Sequence, residues 1–441
     1  MRFVAVAAVA SLQACIALGQ APRHLDLLIA LNSGSNSSVY IVDPASGEVR
    51  GLLSGTPGWP TFPRGLGAPL SQSWCSVVAT RDGRIFASGS NNSKPAVAQI
   101  DPISGDRTAL GASWESPFNG AATIALRDQT SLVVSGQQTT GARLGTLHSV
   151  SLTTGSAAPL AGGLLTEGPG MAVPISFALC SRELFVAADF LSGPVTGPAT
   201  FEINLQSMSQ RLLTNPSNST ISRYVVSAGQ ASPSPVAFSP FGTGPFCGQS
   251  SHPIGYAGGR VYFSAISQRS GGYIGGVVQI DPATGSRELI LGSAIDAANQ
   301  VVYIPPSSGL SDYNALPSAF FDSPTGELFI GEWDPTTRIV AFDPRTRSAR
   351  VVVDFAAYFA PAASFQRVRG ITLYTNCPAD INLDGFADDS DFTHFVGAYD
   401  ILDCADGAMP VPCPSDLNAD GLVDDSDFQI FVAGYDALVC D

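Results

Sequence analysis

The chain has 441 residues, of which 13% are charged, with 45 Gly, 32 Pro and a formal net charge of −15. That length exceeds one ordinary core and predicts two or more domains, while the acidic balance argues against nucleic acid or an anionic membrane surface as a partner. The charge is uneven: residues 377–441 hold fifteen Asp and no Glu, Lys or Arg, so the rest of the chain balances 22 acidic against 22 basic residues.

Met1–Gly19 combines a lone Arg2, an apolar run from Phe3 to Leu18 and the small residues Ala17 and Gly19 ahead of Gln20. This is the pattern of a secretory signal peptide. The run is short for a membrane span, and no later stretch is long enough. The expected product is a secreted monomer, extracellular or at the cell surface, without membrane insertion.

Residues 20–376 repeat a turn between apolar strands: Val42-Asp-Pro-Ala-Ser-Gly47, Ile100-Asp-Pro-Ile-Ser-Gly105 and Ile280-Asp-Pro-Ala-Thr-Gly285. Weaker copies are Leu152-Thr-Thr-Gly155, Ile203-Asn-Leu-Gln-Ser207 and Phe342-Asp-Pro-Arg-Thr-Arg347, where Arg stands in place of the last Gly. Pro presets φ and Gly supplies a positive φ, so each reads as a hairpin loop. A second hairpin precedes most of these turns, as in Asp82-Gly-Arg-Ile-Phe-Ala87, Ser181-Arg-Glu-Leu-Phe-Val186, Gly258-Gly-Arg-Val-Tyr-Phe263 and Thr325-Gly-Glu-Leu-Phe-Ile330. The unit around the second turn predicts strands at Trp74–Thr80, Arg84–Ser88, Ala96–Asp101 and Arg107–Leu110. Units of four short strands suit propeller blades. The first unit, from Leu27, lacks its innermost strand, and Val368–Tyr374 is a strand without a unit. Pairing the two closes a ring and removes its free sheet edges. The expected fold of this part is all-β, a six-bladed β-propeller with seven blades as the alternative.

The turn residues Asp43, Asp101, Asp281 and Asp343 are read as acceptors of local backbone hydrogen bonds. His24, His148 and His252 form no recognisable pair, and no nucleophile elbow, phosphate loop or zinc-protease pattern occurs. Glu332-Trp333-Asp334 is read as the polar end of an inner strand, a place where a metal ligand can sit. A carbohydrate ligand, or an alternative role as a carbohydrate-active lyase or lactonase, is carried by the propeller expectation alone; the catalytic residues are unknown.

The tail, 377–441, carries one loop twice, thirty-six residues apart: Asp380-Ile-Asn-Leu-Asp-Gly-Phe-Ala-Asp-Asp-Ser-Asp391 and Asp416-Leu-Asn-Ala-Asp-Gly-Leu-Val-Asp-Asp-Ser-Asp427. Oxygens at positions 1, 3, 5, 7, 9 and 12 with Gly at 6 are what a calcium ion with six to eight ligands requires. After each loop an apolar stripe follows at i, i+3, i+4, i+7, namely Phe392, Phe395, Val396, Tyr399 and Phe428, Phe431, Val432, Tyr435. Such spacing marks one face of a helix. Cys377, Cys404, Cys413 and Cys440 flank the repeats with the same twenty-seven-residue separation in each. In an oxidising compartment this suggests the disulfides Cys377–Cys404 and Cys413–Cys440, one per repeat, although four cysteines allow three connectivities. Cys75, Cys180 and Cys247 form an odd set, read as one pair and a thiol.

With these loops and single helices, the tail resembles a dockerin domain, and more closely the Cys-flanked dockerin-like tails of secreted planctomycete-type bacterial proteins. The resemblance implies two calcium ions. One would be held by Asp380, Asn382, Asp384, the carbonyl of Phe386, Asp388 and Asp391; the other by Asp416, Asn418, Asp420, the carbonyl of Leu422, Asp424 and Asp427. It also implies a protein partner along the helices, an extracellular or cell-surface protein for which a cohesin is one candidate. The chain departs from the cellulosomal pattern in its cysteines, its longer spacing, and Asp389-Ser390 and Asp425-Ser426 without an accompanying Lys or Arg.

Overall fold

A computed structural model describes residues 21–33, 36–55, 65–67, 76–91, 94–110, 118–138, 145–160, 172–180, 183–190, 197–204, 210–214, 223–225, 234–236, 254–257, 260–269, 272–295, 300–310, 316–322, 326–333, 337–355, 358, 366–404, 406, 408–410, 413–418, 420–436 and 440. The leader Met1–Gly19, the residues Cys75, Cys247 and His252, Asp334, and the tip of the turn after Ile203 lie outside them.

The chain up to the tail is a series of sheets built on antiparallel meanders of consecutive strands, the last with Ser308–Gly309 added in parallel at its edge. The second sheet sets the plan, with Val77–Ala79, Ile85–Asn91, Lys94–Ile100 and Arg107–Ala109 in that order. Sheets of the same kind begin at Phe118–Asp128, Ala172–Cys180, Ile254–Ala257 and Leu316–Asp322. The first sheet differs. Its order is Gln366–Leu373, Leu27–Ser33, Asn36–Val42, Val49–Gly55, so the last strand of the series completes the first unit. Gln366–Leu373 and Leu27–Ser33 pair antiparallel from Leu27↔Leu373 to Ser33↔Gln366, with a bulge after Ala30.

The first strand of each unit touches its counterparts on either side. Val77–Ala79 contacts Phe118–Asp128, which contacts Ala172–Cys180, and the contacts run on through Ile254–Ala257 and Leu316–Asp322 to Gln366–Leu373 and back to Val77–Ala79. The approach is close enough that a Cβ built on Gly370 would lie 2.8 Å from the Val77 amide nitrogen. A two-stranded ladder, Arg223–Val225 with Ser234–Val236, stands outside this circuit.

Why the strands read as continuous apolar runs follows from this stacking. Side chains alternate between the faces of a strand, and both faces of the first sheet are covered. Leu27, Ile29 and Leu31 pack with Phe329, Ile339 and Val353 of the last sheet, whereas Leu28 and Ala30 pack with Val77, Ile85 and Ile100 of the second. Each fully buried Leu or Ile contributes about 1.5–3 kcal/mol relative to exposure. The apolar interior therefore lies between neighbouring sheets, as Phe86 and Val97 with Leu132 and Val134 repeat one step on. Meanders joined in a circuit, with the core between them, make the part ahead of the tail β-propeller-like.

The blade turns form through the residues read from the sequence. Oδ1 of Asp43 accepts the Ala45 and Ser46 amides at 2.8 and 3.2 Å, and the Gly47 amide returns to the Asp43 carbonyl at 2.8 Å. Asp101, Asp281 and Asp343 do the same, and Ser151 Oγ takes this role in the weaker copy. Gly47 has φ +73°, and a Cβ there would sit 1.9 Å from the Val352 carbonyl oxygen. Arg347, where Gly is missing, adopts φ +58°.

The tail adds helices α1 (Asp389–Tyr399) and α2 (Asp425–Tyr435). Among the described residues no helix is long and apolar enough to cross a membrane.

Candidate calcium centre

Each helix starts where its loop ends. Asp388 and Asp424 cap α1 and α2 by accepting the Ser390 and Ser426 amides at 2.8 Å, and Asp391 and Asp427 return the contact to the cap amides at 2.9 and 3.0 Å. The capping box satisfies amides that a helix start would otherwise leave open, and acidic first turns suit the helix dipole.

Inside the loops the same groups recur position by position. Oδ1 of Asp380 accepts the Asp384 amide at 3.1 Å and Oδ2 the Gly385 amide at 2.9 Å; Asp416 does likewise with Asp420 and Gly421, at 3.1 and 2.9 Å. Oδ1 of Asn382 and of Asn418 accepts the amide of Asp384 and of Asp420 at 2.9 and 2.8 Å. Oδ1 of Asp391 gathers the Ile381 and Asn382 amides at 2.7 and 2.9 Å, and Asp427 those of Leu417 and Asn418 at the same distances. Gly385 and Gly421, at φ +98° and +93°, make the sharp turn. Phe386 and Leu422, whose carbonyls occupy position 7, expose their side chains.

In the second loop the carboxylates lie toward one another. Those of Asp416, Asp420 and Asp427 offer oxygens within 4.8 Å of each other. Such a spacing fits a calcium ion, whose ligands at 2.3–2.6 Å can stand up to about 5 Å apart across the ion. Without a cation, each pair of charges at that distance repels by about 3 kcal/mol at an effective dielectric of about 20. Burial pushes the Asp391 carboxyl above the usual range, with the nearby Asp380 charge adding to it and three amides opposing. The donor set is oxygen only, the chemistry of a hard cation.

The two loop–helix units face each other about an approximate dyad. Tyr399 Oη donates to Asp425 Oδ1 at 2.6 Å, and Tyr435 Oη donates to Asp389 Oδ1 at 2.5 Å. Those bonds push both phenols up. Phe395 and Phe431 stack at the centre with ring centroids 5.1 Å apart, and both are buried. The apolar stripes do not turn inward as a whole: Phe392, Val396, Phe428 and Val432 remain 43%, 40%, 40% and 38% exposed. Packing two short helices against each other covers only the inner edge of each stripe.

The disulfides correct the expected pairing. The bonds are Cys377–Cys440 and Cys404–Cys413, not Cys377–Cys404 and Cys413–Cys440. The reason is the dyad, which brings the two ends of the tail together and leaves the linker between repeats to close on itself. Each loop's first carboxylate then lies beside a disulfide: Asp380 near Cys440, and Asp416 near Cys404 and Cys413. The Cys404 sulfur is 3.6 Å from Asp416 Oδ2; a disulfide sulfur has no proton to donate and these cysteines are no thiolate ligands, so the contact is packing.

Two propeller residues reach the tail, and nothing in the sequence pointed to them. His24 Nε2 lies 2.7 Å from Asp380 Oδ2, and Arg81 donates to the Pro414 carbonyl. Burial pushes the Arg81 guanidinium down, opposed by Asp380 and Asp416. Residues 356 and 333 positions apart share no local signal.

The other sequence candidates fall elsewhere. Glu332 stands near the end of Leu328–Trp333, the second strand of the last sheet with Leu316–Asp322 innermost, and it is buried against Arg338. His148 stands half-buried opposite Val134, its imidazole pushed down by burial. Among the described residues, no cluster of three metal-binding side chains lies wholly in the propeller.

No family model and no curated protein matches the chain. Solved structures similar to it include TolB from Acinetobacter baumannii, at 12% identity and TM-score 0.44, covering 80% of this chain and 67% of that one. A candidate TolB from Agrobacterium tumefaciens is 10% identical with TM-score 0.44 over 75% of this chain and 89% of that one. A candidate 6-phosphogluconolactonase from Bacteroides fragilis is 12% identical with TM-score 0.43 over 80% and 98%. Likeness at this level assigns neither activity nor ligand; the sheet order itself carries the description of the fold.

Proposed function

We propose that the chain is a secreted six-bladed β-propeller, a binding module whose dockerin-like tail takes two calcium ions and attaches it to an extracellular or cell-surface protein. The observation that carries the calcium reading is the pair of loops with one hydrogen-bond pattern, the second with three converging carboxylates, in a tail that has no Lys or Arg. Asp380, Asn382, Asp384, Phe386, Asp388 and Asp391 hold one ion, and Asp416, Asn418, Asp420, Leu422, Asp424 and Asp427 the other.

Six units rather than seven is supported by the circuit of first strands, from which the Arg223–Val225 ladder stands apart. Export is supported by the Met1–Gly19 pattern and by two disulfides, which persist in oxidising compartments. Attachment through the helices is supported by the outward side chains Phe392, Val396, Phe428 and Val432, an apolar surface on an acidic module. No described residue group favours the alternative of a carbohydrate-active enzyme.

Calorimetric titration of the oxidised, chelator-stripped full chain with calcium tests the reading. Two bound ions per chain are expected, and none would refute it. For attachment, Phe428→Glu is expected to leave calcium uptake intact and release the protein from the envelope of the producing cell; unchanged retention would sink that half.

A further inference from the structure

His24 is buried in the seam between propeller and tail, its side chain 2% exposed and that of Asp380 not at all. Its Nδ1 lies 3.2 Å from the Asn376 amide, which donates, so Nδ1 carries the lone pair. Nε2 then carries the proton and donates to Asp380 Oδ2. That oxygen also accepts the Gly385 amide, while Oδ1 accepts the Asp384 amide. The first carboxylate of the first loop is thus fixed from two sides, by its own loop and by the propeller.

The surroundings make the contact part of the packing. Leu25 hydrogen-bonds through its amide to the Tyr374 carbonyl at 2.8 Å, at the end of the ring-closing strand. Leu383, at loop position 4, packs with Leu25 on the core of the first and last sheets. A Cβ on Gly385 would lie 3.6 Å from Leu25 Cδ1. The first loop therefore rests on the propeller through both its apolar residue and its leading carboxylate. Arg81 holds the second repeat from the same side, at Pro414.

We propose that His24 is a positioning residue of the first calcium site, so that calcium occupancy of that loop and seating of the tail on the propeller strengthen each other. The proposal rests on the calcium reading above. A group that hydrogen-bonds a ligating carboxylate fixes its orientation, and losing such a group typically costs 10–100-fold in metal affinity. Coupling of this kind is reciprocal: whatever the seated tail adds to calcium binding, calcium adds to seating. The tail is then no freely hinged appendage, and its outward helices keep a set direction relative to the propeller when calcium is bound.

The test is a calcium titration by calorimetry on the oxidised full chain, in an Asp420→Ala background that silences the second loop. His24→Ala is expected to weaken the remaining site by about 10-fold or more. His24→Gln, which keeps a donor, is expected to restore most of the affinity; His24→Phe, which fills the space without one, is not. The Gln and Phe pair decides the matter if the alanine variant does not fold. As the reciprocal readout, calcium should raise protection of the Leu25 and Asn376 amides against hydrogen exchange in the parent and less in His24→Phe. Unchanged affinity in the His24→Phe or His24→Ala chain would overturn this proposal alone, whereas a wild-type chain that takes up no calcium would overturn it together with the calcium reading.

Discussion

Asp43, Asp281 and Asp343 in the blades and Asp380 and Asp416 in the tail all bend the backbone by accepting amides a few residues ahead. The blade residues have a basic neighbour on hand: Arg50 meets Asp43 at 2.7 Å, Arg260 meets Asp281, and Arg345 lies 3.7 Å from Asp343. Although burial works against it, Arg50 with the Ala45 and Ser46 amides holds the Asp43 carboxyl at about 2. In the tail several carboxylates meet in one loop and the segment has no Lys or Arg of its own. A single turn Asp with an arginine is complete as a local structure. Under the proposed function, a loop of converging Asp is completed by a charge from outside.

Four perturbations bear on that contrast, from the largest expected effect to the smallest. Replacing Cys377 and Cys440 by Ser opens a link spanning 63 residues, which the chain-entropy relation values at about 4 kcal/mol, against about 2.5 kcal/mol for the 9-residue Cys404–Cys413 link. Denaturant unfolding of the tail should rank the two in that order; the reverse would place the tail's stability in the linker and not in the dyad. Asp391→Ala strips three amides, one buried and two part-buried, of their acceptor and should cost about 3 kcal/mol even in chelator. A loss seen only with calcium present would mean that the loop is not pre-formed.

Asp26 is the exception within the propeller. Burial lifts its carboxyl to about 6 against the Arg23 amide and Arg50. A folded value above the unfolded 3.8 means that the folded chain binds the proton more tightly, so this contribution is fully present below pH 4 and is lost as pH rises to about 6. The loss is at most about 3 kcal/mol. Asp26→Asn should flatten the stability profile in that window, as followed by thermal unfolding between pH 4 and 7; an unaltered slope would assign it to other groups. Asp101→Ala, at a turn on the surface, should cost only about 1 kcal/mol and leave calcium uptake unchanged.

The parts that sequence made legible are those whose physics is local. Blade turns close within five residues, so Asp-Pro-x-x-Gly announces them, and even Arg347 in place of Gly keeps the left-handed φ. Ring closure by Val368–Tyr374 was legible because a strand without a unit and a unit without a strand call for each other, and the observed strand is Gln366–Leu373. The helices after each loop followed from the apolar stripe. What stayed hidden is long-range. Equal spacing of cysteines pointed to one disulfide per repeat, but the dyad between repeats decides which sulfurs meet. A periodic stripe cannot say how much of it the partner helix covers, so Phe392 and Val396 came out exposed. His24 and Arg81 reach the tail because the ring-closing strand that leads into it pairs with Leu27–Ser33 and runs beside Val77–Ala79.

The most direct test of the tail as a calcium-organised module is amide hydrogen exchange on the intact oxidised chain, in calcium and in chelator, comparing both kinds of turn in one sample. Calcium is expected to slow exchange at Asp384, Gly385, Asp420 and Gly421 while leaving Ala45, Ser46 and Gly47 unchanged. Equal protection of the tail amides in both conditions would contradict the calcium reading and leave the loops as self-sufficient turns.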